Sequence, residues 1–338
     1  MTPFPFCNAQ TCPTPCQCTN TYVFCTENQL TDVPTGIPSD TVRLFLENND
    51  IQTLGPTSFL NLGLLEWLTL TNNPIDTILP NTFLKLENLT NLYLTENNLT
   101  AVTGNMFRGM VKLTQLHLYR NQIGSLQQGS FAGITEVEEL YLYENAITSL
   151  GDFLFDDLRS LTKLYLQDNL ISTITSNAFV LGDIPNLEMT NNPWECDCSM
   201  QAASLWLRLN TASTIKNQIV CAAPENLRGR ILDDVVLERL LCTLPSVQFY
   251  GDDILPGSGG MLSLQCTAEG FPVPEITVTT ARGENVTVES SSEDVTLRSD
   301  GAVVVFNVSK EDAGSYVCMA SNAAGFAFAT WTVAPNVT

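Results

Sequence analysis

The sequence predicts two β-rich units in series: a solenoid of parallel strands, capped by disulfides at both ends, and then an antiparallel β-sandwich. Three observations predict this order. Leucine, asparagine and phenylalanine recur every 24 residues through the first half of the chain. Cysteines cluster on either side of this periodic region. Beyond Cys242 the periodicity stops, and short alternating stretches broken by glycine and proline replace it.

The periodic unit reads L-x-L-x-x-N-x-[LI]-x-x-[LIV], followed by F-x-x-[LIM]. The alternation in L-x-L predicts a short strand with one buried face. A single unit cannot bury its own leucines, whereas stacked units share a continuous core. A partial seventh unit begins one residue early, at Leu187. The columns are Leu44, Leu68, Leu92, Leu116, Leu140 and Leu164; Asn49, Asn73, Asn97, Asn121, Asn145 and Asn169; and Phe59, Phe83, Phe107, Phe131, Phe155 and Phe179.

These columns are expected to be structural. Burying each leucine contributes ~1.5–3 kcal/mol to folding. An asparagine amide both donates and accepts hydrogen bonds, so a column of asparagines can satisfy the backbone groups of a buried turn. The phenylalanine column is expected to fill the back of the coil. We therefore assign no binding role to any of these positions.

The unit resembles the leucine-rich-repeat family, which implies a parallel β-sheet horseshoe. Cys12-Pro-Thr-Pro-Cys16-Gln-Cys18, followed by Cys25, resembles the amino-terminal cap of extracellular leucine-rich-repeat proteins. That resemblance implies the disulfides Cys12–Cys18 and Cys16–Cys25. Spacing alone leaves three pairings open for four cysteines.

The segment Asn192-Pro-Trp-Glu-Cys196-Asp-Cys198, with Cys221 and Cys242, resembles the matching carboxy-terminal cap. The implied disulfides are Cys196–Cys221 and Cys198–Cys242. Helical spacing within the cap predicts a short helix that closes the core. The residues with this spacing are Ala202, Leu205, Trp206 and Leu209.

Cys7 belongs to neither cap pattern. It could link two chains, pair with a segment outside this sequence, or stay unpaired.

The second unit carries the signature of an immunoglobulin sandwich. Asp312-Ala-Gly-Ser-Tyr316-Val-Cys318 matches the corner of that fold, with a tyrosine two residues before the second cysteine. The expected partner of Cys318 is Cys266. The stretch 271–278 resembles the third strand of intermediate-type (I-set) domains, with Val278 in place of the usual core tryptophan.

The predicted domains are an amino-terminal cap (1–40), six repeats (41–185), a carboxy-terminal cap (186–243) and one immunoglobulin domain (244–338). This order is similar to that of extracellular leucine-rich-repeat and immunoglobulin proteins, including the AMIGO, LINGO and netrin-G-ligand groups. The compact caps also resemble those of the variable lymphocyte receptors of jawless vertebrates.

Cysteine clusters and glycosylation sequons predict an oxidising, extracellular environment. The net charge of −21 argues against partners such as nucleic acid or an anionic membrane surface. No apolar stretch is long enough to span a membrane. The first seven residues are too short for a signal peptide, so any signal is expected to lie outside this sequence. The sequons are Asn88, Asn98, Asn285, Asn307 and Asn336.

Nothing in the sequence predicts an enzyme. His117 is the only histidine, and it lies in a column of tyrosines without a nucleophile in register. Phosphate-binding and dinucleotide-binding motifs are absent from the sequence. The single residue between Cys196 and Cys198 is too short a spacer for a zinc pair. We expect no cofactor and no metal.

A ligand is expected on the inner face of the horseshoe, where exposed strand positions form columns about 4.8 Å apart. Tyrosine and tryptophan provide large contact areas at little entropic cost. Two alternatives remain: the rings only stabilise the sheet by stacking, or aromatic residues are merely tolerated there. The candidate binding residues are Trp67, Tyr93, His117, Tyr119, Arg120, Tyr141, Tyr143 and Tyr165.

Two functions fit this architecture. One is a cell-surface adhesion or signalling ectodomain that binds a protein, including a second copy of itself as a homodimer. The other is an innate immune recognition protein, secreted or anchored, that binds glycans or other molecules of microbial surfaces. Both would use the same inner face.

Overall fold

The computed structural model describes residues 12–104, 106–175, 178, 184–201, 203–205, 217–235, 240–257, 259–288, 290, 292 and 294–336. The chain divides into two compact units, Met1–Leu237 and Glu238–Thr338. The first is a β-solenoid with disulfide-bonded caps, and the second is an all-β sandwich. The predicted fold class is confirmed.

A nine-stranded sheet runs through the first unit, with one short strand from each turn of the solenoid. Its first two strands form an antiparallel hairpin, and each later strand is parallel to its neighbour. The last pairing places Leu187 beside Leu164, as the early seventh unit requires. The strands are Gln17–Thr19, Tyr22–Phe24, Arg43–Phe45, Trp67–Thr69, Asn91–Tyr93, Gln115–His117, Glu139–Tyr141, Lys163–Tyr165 and Asn186–Glu188.

The back of the coil is held by shorter pairings and by the phenylalanine column. Thr53–Leu54 pairs with Thr77–Ile78, and Ser149–Leu150 pairs with Thr173–Ile174. Five phenylalanines are at most 1% exposed: Phe59, Phe83, Phe107, Phe131 and Phe155. Phe179 lies outside the described residues.

The asparagine column satisfies the backbone of the buried turn, as the sequence predicts. Asn73 Nδ2 donates to the carbonyl oxygens of Leu46 and Leu70, each at 3.0 Å. Asn73 Oδ1 accepts the Ile51 N–H at 3.2 Å. Each side chain therefore joins its own turn to the preceding one. Similar bonds are made by Asn49, Asn97, Asn121, Asn145, Asn169 and Asn192.

The amino-terminal cap contains the disulfides Cys12–Cys18 and Cys16–Cys25. The carboxy-terminal cap contains Cys196–Cys221. Strand Trp194–Glu195 pairs there with Cys221–Ala223, and Trp194 is fully buried.

Cys198 and Cys242 are also disulfide-bonded. Their sulfur atoms are therefore not thiolates, which are the form of cysteine that binds zinc. Cys7 lies outside the described residues.

The helix predicted in the second cap differs from its expected register. A 3-10 turn spans Cys198–Met200, and the described residues of 201–205 are helical. Leu205 is 48% exposed, so the prediction that it packs in the core is wrong. Met200, Ala203 and Ser204 are buried instead, with the i, i+3, i+4 spacing of one helix face. Ala202, Trp206 and Leu209 lie outside the described residues. A second 3-10 turn, Leu232–Asp234, follows.

Two four-stranded antiparallel sheets form the second unit. The disulfide Cys266–Cys318 connects them, and Val278 is fully buried in the core around it. One sheet contains, in spatial order, Thr243–Gly251, Leu262–Phe271, Ala302–Val305 and Val295–Leu297. The other contains Asn285–Val286, Glu275–Thr279, Gly314–Asn322 and Gly325–Val333.

The predicted tyrosine corner is present in this unit. The buried Tyr316 hydroxyl donates to the Asp312 carbonyl oxygen at 2.9 Å. Asp312 ends the 3-10 turn Lys310–Asp312, and its carboxylate pairs with Arg282 at 2.7 Å. This arrangement fixes the start of strand Gly314–Asn322.

Replacing Asn73 with alanine should lower the free energy of unfolding by about 2–4 kcal/mol, because each buried polar group left without a partner costs about 1–3 kcal/mol. Denaturant unfolding of the purified chain measures this loss. The exposed Asn61 provides the matched control. Asn61→Ala should change stability by less than about 0.5 kcal/mol. Equal losses in both variants would contradict the role given to the asparagine column.

Candidate functional site

Side chains on the open side of the nine-stranded sheet form four parallel columns, which we call the sheet face. The strand pairings align the first two columns, and backbone bonds after each strand align the others. The first contains Arg43, Trp67, Asn91, Gln115, Glu139, Lys163 and Asn186. The second contains Phe45, Thr69, Tyr93, His117, Tyr141, Tyr165 and Glu188. The third contains Glu47, Thr71, Thr95, Tyr119, Tyr143, Gln167 and Thr190. The fourth contains Asn48, Asn72, Glu96, Arg120, Glu144, Asp168 and Asn191.

From Tyr93 to Tyr165, the second column is a continuous stack of aromatic rings. Ring centres are 4.1 Å apart for Tyr93 and His117, and 4.2 Å apart for His117 and Tyr141. Tyr165 continues the stack, 4.9 Å from Tyr141. Trp67 reaches across from the first column to lie 4.8 Å from Tyr93. The rings are half-buried because neighbouring rings cover their faces.

A shorter stack lies in the third column. The ring centres of Tyr119 and Tyr143 are 4.3 Å apart, and the two rings are nearly parallel, at 9°. The His117 ring meets Tyr119 edge-on at 6.2 Å, which joins the two stacks. Burial, and then the neighbouring Tyr119, raise the pKa of Tyr143 to about 12. Its hydroxyl therefore remains a hydrogen-bond donor at physiological pH.

Glu139 links the first two columns. Its carboxylate accepts hydrogen bonds from the Tyr141 hydroxyl at 2.6 Å and from Lys163 Nζ at 2.7 Å. Burial would raise the pKa of Glu139, but these bonds outweigh it and hold the pKa below its usual value. Burial and the bond to Glu139 both raise the pKa of Tyr141. The carboxylate thus stays charged and orients the phenol beside it.

Arg120 bridges three turns of the fourth column. Its Nη1 lies 2.9 Å from Glu96 Oε1, and its Nε lies 2.8 Å from Glu144 Oε2. Hydrogen bonds from the guanidinium to Glu144 and Glu96 raise the pKa of Arg120. All seven residues of this column have left-handed backbone, with φ between 53° and 57°. Arg120, predicted as a binding residue, is 51% exposed and already held by two carboxylates.

The aromatic surface also extends into the amino-terminal cap, where the sequence predicts no binding residues. The Arg43 guanidinium lies 5.2 Å from the ring centre of Tyr22 and 5.4 Å from that of Trp67. Phe24 stacks on Phe45 at 4.7 Å. Tyr22 and Phe24 pair with the next strand at fewer than 24 residues' separation, so the repeat period does not reveal them.

Neither sequon of the first unit, Asn88 or Asn98, belongs to the four columns of the sheet face. Asn88 Nδ2 donates to the Gly63 carbonyl at 2.7 Å, and Asn88 Oδ1 accepts from Lys112 at 2.8 Å. Asn98, in contrast, is exposed. In the second unit Asn285, Asn307 and Asn336 are exposed.

Comparison with known families agrees with this architecture. Models of the leucine rich repeat match residues 40–99, 87–147 and 135–193. The leucine rich repeat N-terminal domain matches residues 11–38, and the immunoglobulin domain matches residues 245–322. The chain is a leucine-rich-repeat and immunoglobulin-domain protein. None of these matched models describes a catalytic domain.

Two curated relatives of this repeat-and-immunoglobulin protein share about a third of the aligned residues. Mouse leucine-rich repeat, immunoglobulin-like domain and transmembrane domain-containing protein 3 is 32% identical over 151 residues, covering 44% of this chain and 22% of the relative. Human leucine-rich repeat and immunoglobulin-like domain-containing nogo receptor-interacting protein 2 is 33% identical over 146 residues, covering 41% and 23%. The matched region thus spans less than a quarter of each relative.

A solved structure shows the same fold. The crystal structure of human 5T4, also named trophoblast glycoprotein, covers 70% of this chain and 100% of its own. The TM-score is 0.51 at 24% sequence identity.

Within the described part of the leucine-rich-repeat and immunoglobulin chain, no helix combines the length and apolar character needed to cross a bilayer.

The position of His117 generates a prediction about pH. Burial in the stack lowers the pKa of His117 from 6.5 to about 4, although Glu139 opposes this effect. Among the described residues, nothing forms a hydrogen bond with its buried Nε2. The unfolded chain therefore binds a proton near pH 6.5 that the folded chain excludes. The stability conferred by neutral His117 is present above pH 6.5 and is lost as pH falls towards 4.

His117→Phe retains a stacking ring but removes this titration. The unfolding free energy of the parent should therefore fall more steeply than that of the variant between pH 6.5 and 4. Denaturant unfolding at a series of pH values measures the difference, in which groups common to both chains cancel. Parallel curves would show that His117 does not titrate differently on folding.

Proposed function

We propose that this chain is the recognition part of an extracellular receptor or adhesion protein and binds a protein ligand through the sheet face. The family and its relatives support a receptor-type ectodomain. The ligand, the face and the residues are our inference.

The observation that carries the proposal is the continuity of the aromatic surface. Rings follow one another from Trp67 to Tyr165, and the Arg43 guanidinium joins Trp67 to Tyr22 in the amino-terminal cap. Because stacking already orders these side chains, a ligand would bind them at little additional entropic cost. Large aromatic surfaces of this kind are typical of contact sites.

Stacking could instead serve only to stabilise the sheet. The second column fits that role, because its ring faces are covered by one another. Tyr119 and Tyr143 stack chiefly on each other and border Arg120. Their hydroxyls and edges are the groups best suited to meet a ligand, so this pair separates the two interpretations.

The same geometry favours a protein over a microbial glycan. A sugar ring binds aromatic residues by lying on an open ring face. Neighbouring rings cover both faces of His117 and Tyr141, and Tyr119 and Tyr143 cover one face of each other. Beside the rings, Arg120 and Lys163 are already paired with carboxylates, whereas Asp168 and Glu188 add further negative charge on a chain of net charge −21. A surface of phenol hydroxyls and carboxylates suits basic and hydrogen-bonding side chains of a protein partner.

Binding of the tagged chain to animal cells, bacteria and yeast tests this function. We expect binding to animal cells, and we expect Tyr119→Ala with Tyr143→Ala to weaken it at least about tenfold, because central interface aromatics contribute ~2 kcal/mol or more. A matched control replaces Leu60 and Leu64, which are 50% and 55% exposed outside the sheet, with alanine. The control should bind like the parent.

Two results would contradict the proposal. Binding to microbes that the tyrosine variant loses would support immune recognition instead of adhesion. Binding to animal cells that the tyrosine variant retains would exclude this pair, and with it the placement of the site.

A further inference from the structure

The immunoglobulin unit exposes two phenylalanines on one of its sheets. Phe326 and Phe328 lie on the strand Gly325–Val333 and are 68% and 65% exposed. Phe328 pairs across the sheet with Met319, which is 41% exposed. An apolar patch this open is unusual on a soluble domain and marks an interaction surface. We call the outward side of this sheet the sandwich face.

The sandwich face is almost free of charge. The strands Gly314–Asn322 and Gly325–Val333 contain no charged residue, and Glu275 is the one charged residue in Glu275–Thr279. The whole chain nevertheless carries a net charge of −21. A basic partner would be attracted to other surfaces, whereas this one suits a neutral, apolar surface.

A second copy of this chain offers such a surface. Two sandwich faces related by a twofold axis bring neutral patch against neutral patch, so close like-charge contacts are avoided. Charges elsewhere on the two copies are screened over about 8 Å at physiological ionic strength. The surface is therefore self-complementary despite the high net charge.

The sequons also leave this surface open. Residues 314–333 contain no sequon, and Asn285 lies on the strand at the opposite edge of the sheet. A glycan on Asn285 would therefore shield the far edge and not the phenylalanines. Only one end of the sheet then remains available, which favours a closed dimer over an open chain of copies.

The size of the patch indicates a weak dimer. A fully buried aromatic side chain accounts for about 150–250 Å². The two phenylalanines are already about a third buried and Met319 is 41% exposed, so two copies would bury less than the roughly 1,200 Å² at the lower end of stable, specific interfaces. Interfaces below this size are typically transient.

We propose that the sandwich face is a self-association surface through which two copies of this chain form a weak twofold dimer. The dimer does not depend on the sheet face or on the ligand proposed above, because it uses the other unit of the chain.

Sedimentation velocity of the full chain over a concentration series tests this. All variants carry Cys7→Ser, so that a disulfide through Cys7 cannot produce a dimer. We expect a reversible dimer with a dissociation constant in the micromolar range. Phe328→Lys should weaken it at least tenfold, because it places two like charges at the interface.

The matched control is Tyr250→Lys. Tyr250 is an aromatic residue, 49% exposed, on the other sheet of the sandwich, and the substitution changes the charge equally. Its dissociation constant should stay within twofold of the parent's. Phe326→Ser, which adds no charge, should also weaken the dimer, and unchanged melting temperatures would show that all three variants fold.

Monomers throughout the series, up to about 100 µM, would overturn the proposal. So would a dimer that Phe328→Lys leaves intact, or one that Tyr250→Lys weakens equally. A dimer abolished by Tyr119→Ala with Tyr143→Ala would place self-association on the sheet face and would also overturn it. If the tyrosine variant loses cell binding but still dimerises, the ligand site and the self-association surface are two different surfaces, as proposed.

Discussion

The hydrogen bonds of the buried asparagines are the interaction on which the first unit depends. Each amide joins the backbone of its own turn to that of the preceding one, as Asn73 does with Leu70, Leu46 and Ile51. The turns therefore stack in register, and each strand lies directly beside the next. The leucines beneath can then form one core, and the side chains above form straight columns. The stacked rings of the sheet face depend on this regular frame.

Regularity also explains why the sheet face combines order with polarity. Parallel strands bring residues at equivalent positions of neighbouring repeats close together. Aromatic rings therefore stack, and carboxylates pair with cations, as Glu139 pairs with Lys163. The stack covers the ring faces, so the rings are half-buried although they lie on the open side of the sheet. In the immunoglobulin unit, buried and exposed apolar residues are arranged differently. Its core surrounds Cys266–Cys318 and Tyr316, and its two most exposed phenylalanines, Phe326 and Phe328, lie on a single strand.

Most of the fold could be predicted because the same pattern of buried leucines and asparagine occurs in six successive units. The period identified the strands, the buried leucines and the asparagine column. It also placed the rings of His117 and its neighbours in one column. It could not identify Tyr22, Phe24 or Arg43, because the cap hairpin joins the sheet at a shorter spacing. Leu205 of the second cap was assigned to the core although it is 48% exposed, since this segment occurs only once and no repeat indicates its register. The interactions of Arg120 with Glu96 and Glu144 depend on side-chain geometry that a period does not contain.

The final turn, which places Leu187 beside Leu164 one residue early, shows what changes of length this fold tolerates. A single residue lost at the end of the solenoid is absorbed where the cap begins. A deletion within the strand of a central unit would instead exchange its inward and outward side chains and place a tyrosine where a leucine belongs. Insertion of a whole unit would instead leave both caps unchanged and widen the sheet face by one strand. Duplication or loss of complete units can therefore make the sheet face wider or narrower while both caps stay unchanged.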